Sequence, residues 1–212
     1  MPDGLRELAR HQAGVISREQ MLAFGLSDRV ASRLVRQEIW RRVTPGLLAL
    51  SDETWLQLAW AGVLLGGSAA ILGGRTAAHL WGIERDPPTQ ITVFVGRERR
   101  IARDDRWRFV RSDRLGVGDP PRTRLPQTIV DLAPSLNPDQ LTSLLADVVG
   151  SNRVRPGDIL RVVRQTPRLA NRKLLCDLLG DVAAGVDSPL ELRYLRDVER
   201  AHGLPRAARR ER

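Results

Sequence analysis

The sequence predicts a helix-dominated α+β protein: an N-terminal winged helix-turn-helix, followed by a mixed domain with a small sheet and a helical C-terminal part. Three observations carry this prediction. Apolar residues recur at three and four spacing through most of the chain. Near the N-terminus a basic strand-like run, Trp40-Arg41-Arg42-Val43, and an apolar one, Leu47-Leu48-Ala49-Leu50, flank the turn residues Thr44-Pro45-Gly46. Strand character then returns in two short runs only, Ile91 to Val95 and Trp107 to Arg111. The expected division is 1–50 for the winged helix, 51–185 for the α+β domain and 186–212 for a C-terminal helix and basic tail.

The first fifty residues hold three short helices and a hairpin. Leu5, Leu8 and Ala9 repeat at i, i+3 and i+4 and mark a helix that ends between His11 and Gly14. Ser17-Arg18-Glu19-Gln20 is a capping box: the Ser17 hydroxyl is placed to accept the Gln20 amide and the Gln20 side chain to reach back, opening a helix through Met21 and Leu22 that Gly25 stops. Ser27 caps a third helix, whose apolar face is Val30, Ala31, Leu34 and Val35. The strand, turn and strand of residues 40–50 follow.

From residue 52 the texture changes. Leu56, Trp60, Val63 and Leu64 form an apolar helical stripe, and Gly73-Gly74 precedes a short helix over 76–81. The run 91–95 reads as a buried strand, paired across a charged loop with the alternating run 107–111. After the Pro-rich stretch 116–126, helices are expected over 127–133, 138–149, 156–164 and 172–179. A last helix opens at Ser188-Pro189-Leu190-Glu191, with Ser188 as cap, Pro189 at the first helical position and Glu191 completing a capping box; Gly203 and Pro205 end it, and the tail RAARRER is charged.

Composition narrows the function. The 212 residues carry 34 basic and 25 acidic side chains, a net charge of +9, and Lys173 is the only lysine. Nearly all the positive charge is therefore arginine, whose planar fork suits phosphates and guanine edges, and an anionic partner is expected. A lone cysteine, Cys176, excludes an internal disulfide and a Cys-rich zinc site. The opening Met1 to Glu7 has acidic residues and no apolar run behind a basic head, so a cytoplasmic location is expected. The uncharged stretch 54–74 is long enough to span a bilayer, but it holds five glycines, and Gln57 and Ser68 would need partners in lipid. It reads better as a buried helix, a break and a second element, with no membrane partner.

Catalytic groups and cofactors are not expected. Glu84, Asp86, Asp104, Asp105, Asp113 and Asp119 are scattered through loops rather than clustered for a divalent ion. Gly73-Gly74-Arg75-Thr76 fails the phosphate-loop pattern twice, with Ala69 in place of the first glycine and Arg75 in place of the lysine. His11, His79 and His202 lie far apart, outside metal-ligand spacing. Cys176 falls within the apolar pattern 174–179 and reads as a buried, inert thiol.

The chemistry-bearing pattern lies on the third helix. Arg29, Arg33 and Arg36 at i, i+4 and i+7 make one ridge opposite Val30 and Leu34, with Ser27, Asp28 and Ser32 beside it. A helix-turn-helix places such a ridge in the major groove, while hairpin arginines, here Arg41 and Arg42, reach phosphate or the minor groove. The bland counterpart is a solvated arginine face. If five arginines each neutralise one phosphate, log K falls with log salt at a slope of roughly −4 to −5 per protomer.

The run HQAGVISREQMLAFGLSDRVASRLVRQEIWRRVTPGLLAL, residues 11–50, resembles the N-terminal winged helix of the abortive-infection AbiEi antitoxin family. Arg75-Thr76-Ala77-Ala78 with Leu80-Trp81-Gly82, the strand at 91–95 and Leu125-Pro126-Gln127-Thr128-Ile129-Val130-Asp131-Leu132-Ala133 resemble the domain that follows in actinobacterial members. The resemblance implies a type IV toxin–antitoxin context: a non-enzymatic regulator that represses its own operon on double-stranded operator DNA and counters a nucleotidyltransferase-like toxin. It carries DNA reading to Ser27, Arg29, Ser32, Arg33 and Arg36, with Arg41 and Arg42 on the wing. A single winged helix reads few base pairs, so a homodimer on an inverted repeat fits this role. Ser188-Pro189-Leu190-Glu191 also resembles the opening helix of a nuclease-like domain of the Vsr or PD-(D/E)XK type. The strands carrying that domain's metal-binding Asp and Glu-x-Lys pair do not occur in these residues, and Glu191 alone cannot hold a metal. Two alternatives stay open: the targeting portion of such a nuclease, and a toxin-binding module.

Overall fold

The computed structural model describes residues 2–50, 52–98, 101–183 and 189–202. The chain divides into two units, Met1–Arg124 and Leu125–Arg212. The expected cap at Ser188, the helix stop at Gly203 and Pro205 and the basic tail lie outside the described residues.

Helix α1 (Asp3–His11) buries Leu5 and Ala9 and leads into strand β1 (Val15–Ser17). The three-residue β1 was not expected from sequence; it is too short for alternation to register, and its last residue is also the cap of the next helix. In α2 (Arg18–Ala23) the capping box is complete: the Ser17 hydroxyl accepts from the Gln20 amide at 3.1 Å and the Ser17 amide donates to Gln20 Oε1 at 2.9 Å. The Gln20 side chain also exchanges hydrogen bonds of 3.0 and 2.7 Å with buried Gln12, so the same glutamine ties α2 to the end of α1. Helix α3 (Asp28–Arg36) is capped as expected by Ser27.

The predicted hairpin is β2 (Arg41–Thr44) and β3 (Leu47–Ala49), and Gly46 turns it at a φ of +88° that side chains with a Cβ rarely adopt. The antiparallel sheet has the order β1-β3-β2. Arg42 pairs with Leu48 and Thr44 with Leu47, so Val43 is an extra residue, a β-bulge. The apolar run of β3 is buried on both faces. Ile16 and Leu48 pack with Leu5, Met21, Ala31 and Trp40 beneath the three helices. On the opposite face Val15, Leu47 and Ala49 join a second core with α4.

Helix α4 (Trp55–Gly66) starts at a Thr54 cap and stops at Gly67, where φ is +90°. This is the buried helix and break expected for 54–74, and among the described residues no helix is long and apolar enough to cross a membrane. Strand β4 (Ile71–Leu72), helix α5 (Gly74–Leu80), strand β5 (Ile91–Val95) and strand β6 (Trp107–Arg111) complete the unit. The sheet order is β4-β5-β6, with β4 antiparallel and β6 parallel to β5. Ile91, Val93 and Trp107 pack onto α4. The approach is close: a Cβ at Gly62 of α4 would sit 2.7 Å from the Trp107 ring.

The second unit is helical among its described residues: α6 (Leu125–Leu132), a 3-10 turn at Ala133–Ser135, α7 (Pro138–Gly150), α8 (Pro156–Gln165), α9 (Arg172–Ala183) and α10 (Pro189–Tyr194), which runs on as a π-helical stretch Leu195–Arg200. Ile129, Leu141, Leu145, Ile159, Val163, Leu175, Leu178 and Leu179 are buried in it. Cys176 is half-buried rather than buried. The helical period turns Leu175, Leu178 and Leu179 inward and leaves residue 176 at the edge of that face.

Candidate nucleic-acid interface

The orientation of α3 follows from its apolar side. Ala31 is buried, and Leu34 and Val35 pack half-buried against the first core. Period 3.6 then turns Ser27, Arg29, Ser32, Arg33 and Arg36 to the outside, and all five are exposed. Seven residues separate Arg29 from Arg36, about 10 Å along the axis or roughly three base-pair steps.

The hairpin brings a further cation to this face. Arg29, Ser32, Val35 and Arg36 of α3, with Arg42 of β2, line a shallow concave surface of about 560 Å³. Arg33 lies on the same ridge outside this hollow. Among the described residues Arg29, Arg33, Arg36 and Arg42 have no ion pair, so four guanidinium groups on α3 and β2 keep their donors for an external ligand.

Arg41 is placed differently from its neighbour. Its Nη1 donates to Glu53 Oε2 at 3.1 Å and its Nη2 to Oε1 of buried Gln57 at 3.3 Å. Adjacent residues of a strand face opposite sides, so Arg41 turns to α4 where Arg42 turns to α3. The sequence placed both arginines on the wing; nothing in it marked Glu53 and Gln57 as partners twelve and sixteen residues away.

A second pairing shapes the charge of the ridge. Arg18, the first residue of α2, grips Asp28, the first residue of α3, with two hydrogen bonds of 2.8 and 2.6 Å. These bonds hold the Asp28 carboxyl below the usual carboxylate range and raise Arg18. The one acidic side chain of α3 is thereby neutralised by a residue of the preceding helix. Sequence reasoning placed Asp28 beside the ridge but missed Arg18, because a separation of ten residues belongs to no helical or strand period.

Several other titratable groups are engaged elsewhere. His11 Nε2 lies 3.4 Å from Asp119 and its ring packs against Trp60, while His79 stacks edge-on against Trp55 and bonds the Glu84 carbonyl at 3.0 Å. Arg75 pairs with Glu84 at 2.8 Å, Arg97 with Asp113 at 3.1 Å and Arg106 with Asp104 at 2.7 Å. Gly73 is explained by packing, since a Cβ there would run into the Phe94 ring. Among the described residues no group of three or more His, Cys, Asp or Glu side chains is placed to hold a metal ion.

Comparison with known proteins agrees with this geometry where it applies. Residues 5–51, the three helices and the hairpin, match the family model described as "Transcriptional regulator, AbiEi antitoxin". The match spans the N-terminal winged helix and does not reach the later segments. No curated protein matches the chain.

Proposed function

We propose, from the premise that residues 5–51 form the winged helix of an AbiEi-type antitoxin regulator, that this protein is a DNA-binding autoregulator that acts without catalysis. Helix α3 enters the major groove of operator duplex upstream of its own gene. Arg29, Arg33 and Arg36, with Ser27 and Ser32, meet base edges and phosphates, and Arg42 meets phosphate or the minor groove. Arg41, committed to Glu53 and Gln57, supports the wing instead of contacting DNA. The observation that carries this proposal is the hollow that Arg29, Ser32 and Arg36 share with Arg42. The cations come from a helix and from a hairpin and share one open concavity, an arrangement that a phosphate backbone can enter.

The family description is of an antitoxin; as the sequence resemblance implies, the proposal extends to countering a nucleotidyltransferase-like toxin in a type IV system, with two copies meeting an inverted repeat. Fluorescence anisotropy of the full chain against labelled duplex from upstream of its gene, beside a scrambled duplex, tests the DNA part. A preference of about a hundredfold or more supports a specific autoregulator. Equal weak binding to both duplexes contradicts it.

A further inference from the structure

The bulge at Val43 has a partner outside the winged helix. β2 is the edge of its sheet, and its pairing slips between Arg42 and Thr44. The Val43 carbonyl accepts from Arg106 Nη2 at 3.1 Å. Arg106 is itself held on four sides. Its Nε and Nη2 grip Asp104 at 3.0 and 2.7 Å, and its own amide donates to Asp104 Oδ1 at 3.0 Å. Its guanidinium lies 4.4 Å from the centre of the Trp107 ring, and its Nη1 stands 3.8 Å from Glu53, the carboxylate that also receives Arg41. Trp107 is anchored in turn by its indole bond to the Leu58 carbonyl at 2.7 Å. Bulges re-aim the side chains beside them, and the residue before this bulge is Arg42.

The geometry points to Arg106 as a positioning residue for the wing: by holding the Val43 bulge it aims Arg42 into the hollow shared with Arg29, Ser32 and Arg36. This rests on the DNA-binding proposal above. Arg106 is spent on Asp104, Val43 and Trp107, so it touches no phosphate. The platform of the wing therefore lies at residues 53 and 104–107, beyond the segment that matches the family.

The test uses the full chain with Arg106→Ala, Arg106→Lys, Arg42→Ala and the Arg42→Ala/Arg106→Ala pair, titrated against the upstream duplex across graded salt. Arg106→Ala should weaken binding by about tenfold, the scale of a lost hydrogen bond to a charged group, with a salt slope no flatter than that of Arg42→Ala. On the Arg42→Ala background it should add nothing. Arg106→Lys keeps the charge, yet its single ammonium cannot hold Asp104 and Val43 in the forked arrangement, so it should weaken binding in the same way; it carries the test if the alanine variant does not fold. Wild-type affinity in both Arg106 variants overturns the proposal. So do losses that multiply in the double variant, or a slope in the double variant flatter by about 0.9 than in Arg42→Ala alone, the mark of a phosphate contact by Arg106 itself. Should the wild type bind neither duplex, the DNA-binding proposal fails, and amide hydrogen exchange decides the clamp. Faster exchange confined to residues 41–47 in the Arg106 variants supports it, and unchanged exchange overturns it.

Discussion

Arg41 and Arg42 share a chemistry and differ in what they face, and that difference sets the count of arginines open to a ligand on α3 and β2. With Arg41 held by Glu53 and Gln57, Arg29, Arg33, Arg36 and Arg42 remain. Arg33, outside the hollow, is the arginine we propose for base readout; Arg33→Ala should cost about 1–3 kcal/mol in operator binding and relax sequence preference. Anisotropy against operator and base-substituted duplexes checks it. Asp28 gives a prediction in pH. Its carboxyl is held below its ordinary value by Arg18, so the folded state favours the ionised form. The contribution is therefore full above the unfolded pKa and is lost as pH falls through the folded one. Asp28→Asn should be less stable than wild type at neutral pH and converge with it in acid, as followed by urea midpoints. Asp104, lowered by Arg106, should give the same sign. The arginine ridge was legible in the sequence because it repeats with the helix. The pairs Arg18–Asp28, Arg41–Glu53 and Arg106–Asp104 were not, because side-chain pairing across a turn or between elements leaves no period.

Elements were legible in proportion to their length and their caps. The capping box at Ser17 and the cap at Ser27 sit where the sequence puts them, since the orphan amides of a helix start need an oxygen at a fixed offset. Ser17→Ala should cost about 1 kcal/mol, measured by chemical denaturation; it removes the acceptor of the Gln20 backbone amide and leaves the bond from the Ser17 amide to Gln20 Oε1 in place. Strands were harder. β1 is three residues long and escaped notice. The run 91–95 and the alternation at 107–111 marked β5 and β6, yet their parallel sense depends on a chain path with no local code. Gly73 was read through a nucleotide-loop pattern that failed; the close Phe94 ring gives it a packing role. Gly73→Ala should destabilise by about 1–3 kcal/mol as an overpacking change, seen as a lower melting temperature.

At the scale of the molecule, helix dominance, the winged helix with its hairpin and a small sheet follow from patterns in the chain. The sharing of β3 between two cores does not. Its run Leu47-Leu48-Ala49 signals burial without saying on which faces, and the structure uses both. The winged helix is thus packed into the unit Met1–Arg124, well beyond the matched residues 5–51. A net charge of +9 draws the protein toward any polyanion, so affinity alone says little about the site; the dependence on salt says more. The central claim is that the four arginines left open on α3 and β2 meet a duplex, and the most direct measurement is the salt slope of operator binding for the wild type beside a variant with Arg29, Arg33, Arg36 and Arg42 all replaced by alanine. If each of the four neutralises a phosphate, log K falls with log salt at about −3.6 for the wild type, with a shallower slope of about −2 if two of them read bases instead. The quadruple variant should lose both that slope and the preference for operator over scrambled duplex. A quadruple variant that keeps the wild-type slope and preference would contradict the account.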